Sequence, residues 1–235
     1  MSPIESLTSI QQELNRLGHS SVRIIVVTKT HGPDMIETLL QAGHTDFGEN
    51  RFTEAKQKFE LVSQHIDNSL AVKPIYHHIG LLQSGFARNL PGLFQFVHGA
   101  SSISALNVLL KAAIKYYEAT GQSTKYLLQL NLTKEESKLG GMTESEFLAI
   151  QSELPNQEAL QWVGFMTMGP TDQDKVKTRS VFKQLRLIRD KYLPKGELSM
   201  GMSGDWHIAV DEGTTMLRIG SAITGVRQNG PWQKT

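Results

Sequence analysis

The sequence predicts an α/β fold closed into a (β/α)8 barrel, with a short helix ahead of the first strand. Three observations carry the prediction. Eight short apolar, β-prone runs alternate with eight helix candidates, and such alternation calls for a parallel sheet, because parallel strands need helical crossovers. The 235 residues give about 29 per unit, and eight compact βα units come close to the usual barrel length of about 250. A doubly wound open sheet, the rival, calls for G-x-G-x-x-G after the first strand, and none stands there.

The elements follow in order. Ile24 to Thr28 is the first strand, followed by a helix over 34–42. Thr45 to Gly48 leads to a helix over 51–65, and Ile75 to Ile79 to a short one at 84–91. Phe94 to Val97 precedes a helix at 104–119, where Leu106, Leu109, Leu110, Ala113, Ile114 and Tyr117 keep the 3.6-residue period. Tyr126 to Leu130 is followed by a helix at 144–153. Trp162 to Met166 precedes one at 174–192, built on Val181, Leu185, Ile188 and Tyr192. Glu197 to Met200 and Met216 to Ile219 complete the strands, with a short helix from Asp205 to Glu212 between them and another starting near Ser221.

Composition bounds the function. Apolar residues make up 39%, and 24 basic against 23 acidic side chains leave a net charge of +1 with no block of like charges. A clustered basic surface for nucleic acid is therefore not expected. The absence of cysteine excludes disulfides, thiolate nucleophiles and Cys-ligated metal. No run approaches the roughly 18 apolar residues of a membrane span, and the first residues lack a basic region followed by an apolar one. With no Pro/Gly-rich linker, one domain over 1–235 is expected, in a cytoplasmic, monomeric protein.

In a barrel, chemistry gathers where strands end at the C-terminal face. Lys29 directly follows the apolar first strand. Desolvation there lowers an ammonium pKa, and the neutral amine is a nucleophile able to form a Schiff base; a lysine merely reaching water from a strand end is the plainer reading. The loops after strands 7 and 8 read Ser199-Met200-Gly201-Met202-Ser203-Gly204 and Arg218-Ile219-Gly220-Ser221-Ala222. Those two loops often bind phosphate in barrels, and small residues let backbone N–H groups approach an anion; the plainer reading is two turns. Arg218 shares a strand face with Met216 and Gly220, which places a guanidinium beside that phosphate site if the face points inward. A structural ion pair is its alternative. His77 and His78 project to opposite faces of a strand, wrong for one metal, and no metal site is expected. His98 and His207 read as isolated histidines, and Glu135-Glu136 as solvated.

Lys29 at the end of strand 1 with phosphate loops after strands 7 and 8 resembles the alanine-racemase-type pyridoxal-phosphate barrel. Within that superfamily the chain resembles the pyridoxal phosphate homeostasis protein family over roughly residues 7–227. The matching segments are Val27-Thr28-Lys29-Thr30, Phe47-Gly48-Glu49-Asn50, His77 to Ser84, Glu135 to Gly140, Leu198 to Asp205 and Arg218 to Ile223. The resemblance implies an alanine-racemase N-terminal-domain type of barrel with pyridoxal 5'-phosphate (PLP) as a Schiff base on Lys29. It implies phosphate contacts at Ser203, Gly220 and Ser221, Arg218 near the pyridine nitrogen, Asn50 near the ring, Met166 packed against it, and His77 in an open role. Tyr76, His78, Arg51 and Gly85-Phe86 depart from the family pattern, at the third loop and the rim.

The function implied is PLP binding in intracellular vitamin B6 homeostasis, with little or no turnover. PLP-dependent apoenzymes or B6-pathway enzymes are the partners this suggests. An amino-acid racemase is the first alternative. Racemases of the superfamily take their second proton carrier from an added C-terminal domain, and only Gln228 to Thr235 follow Arg227 here. A Schiff-base aldolase working without PLP is the second alternative.

Overall fold

A computed structural model describes residues 1–65, 73–133, 135, 140–225 and 232. The first helix, α1 (Pro3–Arg16), begins on a reciprocal cap. Ser2 Oγ accepts from the Glu5 N–H, and the Glu5 carboxylate accepts from the Ser2 N–H. Eight strands follow: β1 (Arg23–Val27), β2 (Asp46–Glu49), β3 (Ile75–Leu81), β4 (Phe96–Ala100), β5 (Thr124–Gln129), β6 (Leu160–Met166), β7 (Glu197–Ser199) and β8 (Met216–Ile219). One helix stands after each: α2 (Pro33–Gln41), α3 (Phe52–His65), α4 (Ser84–Ala87), α5 (Ile103–Thr120), α6 (Glu144–Ile150), α7 (Lys175–Tyr192), α8 (Trp206–Asp211) and α9 (Ser221–Thr224). Every neighbouring pair is parallel, and β8 returns to β1, so the sheet closes in sequence order into the expected (β/α)8 barrel.

Side-chain alternation divides the core in two. Ile25, Phe96, Leu127, Met166 and Met216 pack together inside the barrel. Ile24, Val26, Phe47, Val97, Leu128, Phe165, Leu198 and Leu217 face outward and pack with the helices. A strand buried on both faces reads as a continuous apolar run, which is why Ile24 to Val27 carries no polar alternation.

Several boundaries differ from the sequence expectation, most of all around the third and fourth strands. Helix α4 ends at Ala87 rather than near residue 91, because Asn89 and Leu90 turn through N–H bonds to the Phe86 and Ala87 carbonyls and Pro91-Gly92 follow. The same turn holds Phe94, whose N–H reaches the Leu90 carbonyl, so β4 starts at Phe96. Strand β3 runs on to Leu81, and its register with β4 shifts between His78 and Leu81. Gly99 allows this close passage: a Cβ there would stand 2.0 Å from the Gly80 carbonyl oxygen. Of the matching segment from Glu135 to Gly140, residues 136–139 lie outside the described residues. Among the described residues no helix is long and apolar enough to cross a membrane.

Candidate functional site

The C-terminal mouth of the barrel holds a cavity of about 460 Å³. Seven of the eight residues singled out from the sequence line it: Lys29, Asn50, Met166, Ser203, Arg218, Gly220 and Ser221. The eighth, His77, is fully buried and is not brought to the cavity wall. Val27, Ile79 and Leu81 add apolar surface, and Gln129, Gln173 and His31 add polar groups that the sequence did not single out.

Arg218 sits on the inward face of β8, as the strand alternation predicts, and is almost wholly buried. One Nη donates to Ser199 Oγ at 2.6 Å and the other to the Thr167 carbonyl at 2.9 Å. Burial pulls its pKa down to about 10, with the Asp205 charge acting the other way, so the group stays a cation at neutral pH. Behind it the barrel interior carries further polar groups. Ser199 Oγ lies 2.8 Å from His98 Nδ1, His98 Nε2 3.0 Å from His77 Nδ1, and His77 Nε2 3.0 Å from Asp46 Oδ1. Asp46 is also paired with Arg23. His98 is thus not isolated but buried mid-strand with a partner at each ring nitrogen. Adjacent His78 points the other way, against Phe86 and Phe94, as alternation requires.

The loops after β7 and β8 are tied by Ser203, whose Oγ accepts from the Ala222 N–H at 3.2 Å. A Cβ on Gly220 would meet nothing closer than Val27 at 3.6 Å, and one on Gly204 nothing closer than Gln173 at 3.5 Å. Glycine at those two positions therefore opens the cavity rather than relieving a clash. Gly201 differs: it has φ +96°, and a Cβ would lie 2.6 Å from the Ala209 methyl, so glycine there lets α8 pack onto the sheet.

Lys29 leads into a constrained turn. Thr30 has φ +69°, rare for a β-branched residue, and its N–H donates to Glu54 Oε1 at 2.8 Å. Glu54 belongs to a buried cluster on the outer face of the barrel. Lys58 of α3, with no exposed surface, donates to Glu49 Oε1 at 2.6 Å and to the Thr28 carbonyl at 2.9 Å, with Glu54 Oε1 at 3.4 Å. Burial pushes the Glu49 carboxyl up against the pull of Lys58. Of the matching segment Phe47-Gly48-Glu49-Asn50, Glu49 faces this cluster, and Asn50 lines the cavity. His31 borders cluster and cavity alike, and burial, then the Lys58 charge, lower its pKa.

A wider groove of about 800 Å³ adjoins the cavity and shares Asn50 and Leu81 with it. Arg51 and Phe86, two of the departures from the family pattern, both line it, and Phe86 stacks on Phe52 at 6.2 Å.

Comparison with known proteins agrees with the barrel fold. The family described as "Alanine racemase, N-terminal domain" matches residues 6–228. The pyridoxal phosphate homeostasis protein of Synechocystis sp. is 31% identical over 227 residues, covering 93% of this chain and 98% of the relative. Its counterpart in Vibrio cholerae is 33% identical, covering 94% of this chain and 92% of the relative. The structure of PipY from Synechococcus elongatus with PLP bound superposes with a TM-score of 0.81 at 30% identity, over 95% of this chain and all of PipY. Alanine racemase from Bartonella henselae shares the fold, with a TM-score of 0.70 at 14% identity over 58% of its chain. The chain is therefore a member of the pyridoxal phosphate homeostasis protein family, built on the alanine racemase N-terminal barrel.

Proposed function

We propose that this chain binds PLP through Lys29 and holds it with little or no turnover, serving intracellular vitamin B6 homeostasis. The observation that carries the reading is one cavity bringing together a strand-end lysine, a buried arginine and the two small-residue loops. Its volume suits a small cofactor. When bound, PLP supplies an aldehyde that condenses with a lysine amine and a phosphate that needs N–H and O–H donors.

Each residue has a task in that reading. Lys29 is the amine. Ser203 Oγ accepts from Ala222, so its own hydrogen can serve an anion, beside the backbone around Gly220 and Ser221. Met166, Val27 and Ile79 give apolar surface for a planar ring, and Asn50 borders it. Arg218 offers only donors, so an acceptor atom against it is hydrogen-bonded without taking up a proton of its own. A ring nitrogen in that state is a weak electron sink, which supports storage and delivery over α-carbon chemistry. The name carried by the Synechocystis and Vibrio relatives supports the same reading, as does the PLP bound to PipY. PLP-dependent apoenzymes are the recipients this role calls for.

The test pairs spectroscopy with exchange. The purified chain, supplemented with PLP, is expected to turn yellow and to leave the α-hydrogens of amino acids unexchanged in heavy water. A colourless protein that refuses added PLP overturns the binding reading. Fast, Lys29-dependent deuterium exchange makes it a racemase instead.

A further inference from the structure

We infer that His98 and His77 are positioning residues for Arg218: through Ser199 they anchor its guanidinium to Asp46 by a one-way row of hydrogen bonds across the barrel interior. The row joins Arg218, Ser199, His98, His77 and Asp46, with contacts of 2.6, 2.8, 3.0 and 3.0 Å. Its members come from β8, β7, β4, β3 and β2, far apart in the chain. This inference rests on the cofactor reading only for what Arg218 faces; the row itself stands on the distances.

The direction of every hydrogen follows from the two ends. Asp46 is paired with the Arg23 guanidinium and accepts from the Thr45 hydroxyl at 2.8 Å, so it is an ionised acceptor. His77 must therefore present Nε2–H to it, which leaves Nδ1 of a neutral ring as acceptor. His98 must then donate from Nε2 to His77 and accept at Nδ1. The Ser199 hydroxyl must donate to His98, and its oxygen is left to accept from Arg218. Arg218 can only donate. The order derived from Asp46 is thus the order Arg218 requires, and no link pits two acceptors or two donors against each other. The opposite tautomers would set His77 Nε2, as an acceptor, against a carboxylate.

Neutral rings are what the surroundings favour. Burial lowers the pKa of both histidines, most strongly for His98. The charged and titratable groups about them are Arg23 on β1, Asp46 on β2, His78 beside His77 on β3, Arg218 on β8 and His44 next to β2. Lys125 of β5 lies over Phe96, the ring stacked on His77 at 4.7 Å. Burial opposes a second proton on either ring; the Asp46 carboxylate pulls the other way at His77, whereas at His98 His77, Arg218, His78 and Arg23 all add to the opposition.

The consequence concerns what the cavity meets at its floor. The Ser199 hydrogen is committed to His98, and the Arg218 guanidinium is held by Ser199 and the Thr167 carbonyl. A proton could travel down the row in four transfers, leaving Arg218 neutral and Asp46 protonated. That end state sets a proton on a carboxyl held well below its usual range at the expense of a group at about 10. The row therefore acts as a lock. It keeps Arg218 in one orientation and one charge state, as a fixed donor towards an acceptor atom of the ligand.

The test uses the full chain labelled with 15N, before and after addition of PLP. Two-bond proton–nitrogen correlations, assigned from His77→Asn and His98→Asn, are expected to show both imidazoles as Nε2–H tautomers with Nδ1 as acceptor. The resolved protons of the Arg218 Nη that donates to Ser199 are expected to collapse by free rotation in Ser199→Ala, a change of one oxygen atom, while those of the Nη on the Thr167 carbonyl stay resolved. The dissociation constant for PLP should rise about tenfold in that variant, the worth of a charged hydrogen bond. Either imidazole in the Nδ1–H form, or a Ser199→Ala protein with Arg218 signals unchanged, overturns the inference. If the tautomers and Arg218 signals behave as stated and no PLP loads, the cofactor reading falls and the lock stands.

Discussion

Two polar networks are buried on opposite faces of β2, and they are built on different principles. Inside the barrel, Asp46 ends a row in which each donor has an acceptor. Outside, Glu49 meets Lys58 and Glu54 in a cluster where Thr30 Oγ1, His31 Nε2, Glu49 Oε2 and Glu54 Oε2 are buried with no hydrogen-bond partner among the described residues. The inner network is nearly neutral along its length and charged at its ends. The outer one sets two carboxyls against one ammonium, and burial raises Glu49 accordingly. The contrast assigns them different tasks. A satisfied row fixes one geometry under Arg218, whereas the incomplete cluster holds the turn that follows Lys29, through Glu54 and the Thr30 N–H.

Breaking the outer cluster should have the larger effect. Lys58→Met strands two carboxyls without their cation, and is expected to cost about 3–5 kcal/mol in urea unfolding at neutral pH. The loss should shrink on acidification, because a carboxyl without its counter-charge has a raised pKa and regains stability as it takes up a proton. A cost that is flat from pH 8 to pH 5 would show that Lys58 contributes packing alone. Asp46→Asn attacks the inner row at its anchor, with an expected cost of about 1–3 kcal/mol at pH 7. Burial opposes the Asp46 charge, but the His77 hydrogen bond and Arg23 hold its pKa well below the usual carboxylate value. Its contribution is thus present above the unfolded value of about 3.9 and fades as pH falls below it, so variant and parent should converge in acid.

His78 sharpens the comparison by lying outside both networks. Among the described residues neither of its ring nitrogens has a hydrogen-bond partner, and burial pushes its pKa down to about 4. His78→Phe should stabilise the protein by about 1–2 kcal/mol at pH 7 by removing two unsatisfied atoms. The gain should widen as pH falls from about 6.5 towards 4, where the unfolded chain takes up a proton that the buried ring refuses. Denaturation at pH 7 and pH 5 checks both. The smallest change is expected from Glu54→Gln, within about 1 kcal/mol, since an amide oxygen still accepts the Thr30 N–H. Glu54→Ala, lacking any acceptor, should release Thr30 from its positive φ and slow the loading of PLP.

Much of this was legible in the sequence, and the exceptions share a cause. The run from Ile24 to Val27 followed by Lys29 announces a strand end, and the parity of Met216, Arg218 and Gly220 announces an inward guanidinium. Those are local readings, made within one strand or loop. The row of side chains is not local: His98 and Ser199 are 101 residues apart, and Asp46 and His77 are 31 apart. Strand parity alone put His77 on one face and His78 on the other, but nothing in the chain says which strand faces which across a barrel. Lys58 could have been found. It lies on the face of α3 that buries Ala55, Phe59 and Val62, four residues after Glu54, so a charged pair on an apolar stripe was the signal. His31 and the strained Thr30 had none, since a loop conformation set by a carboxylate on another element leaves no mark on spacing.

The central claim is that Lys29 is the attachment residue for PLP. Borohydride reduction of the PLP-loaded chain, followed by proteolysis and mass mapping, tests it directly. A pyridoxyl phosphate adduct on the peptide containing Lys29, absent in Lys29→Ala, is the predicted result. An adduct on another lysine, or equal labelling in Lys29→Ala, would contradict the account.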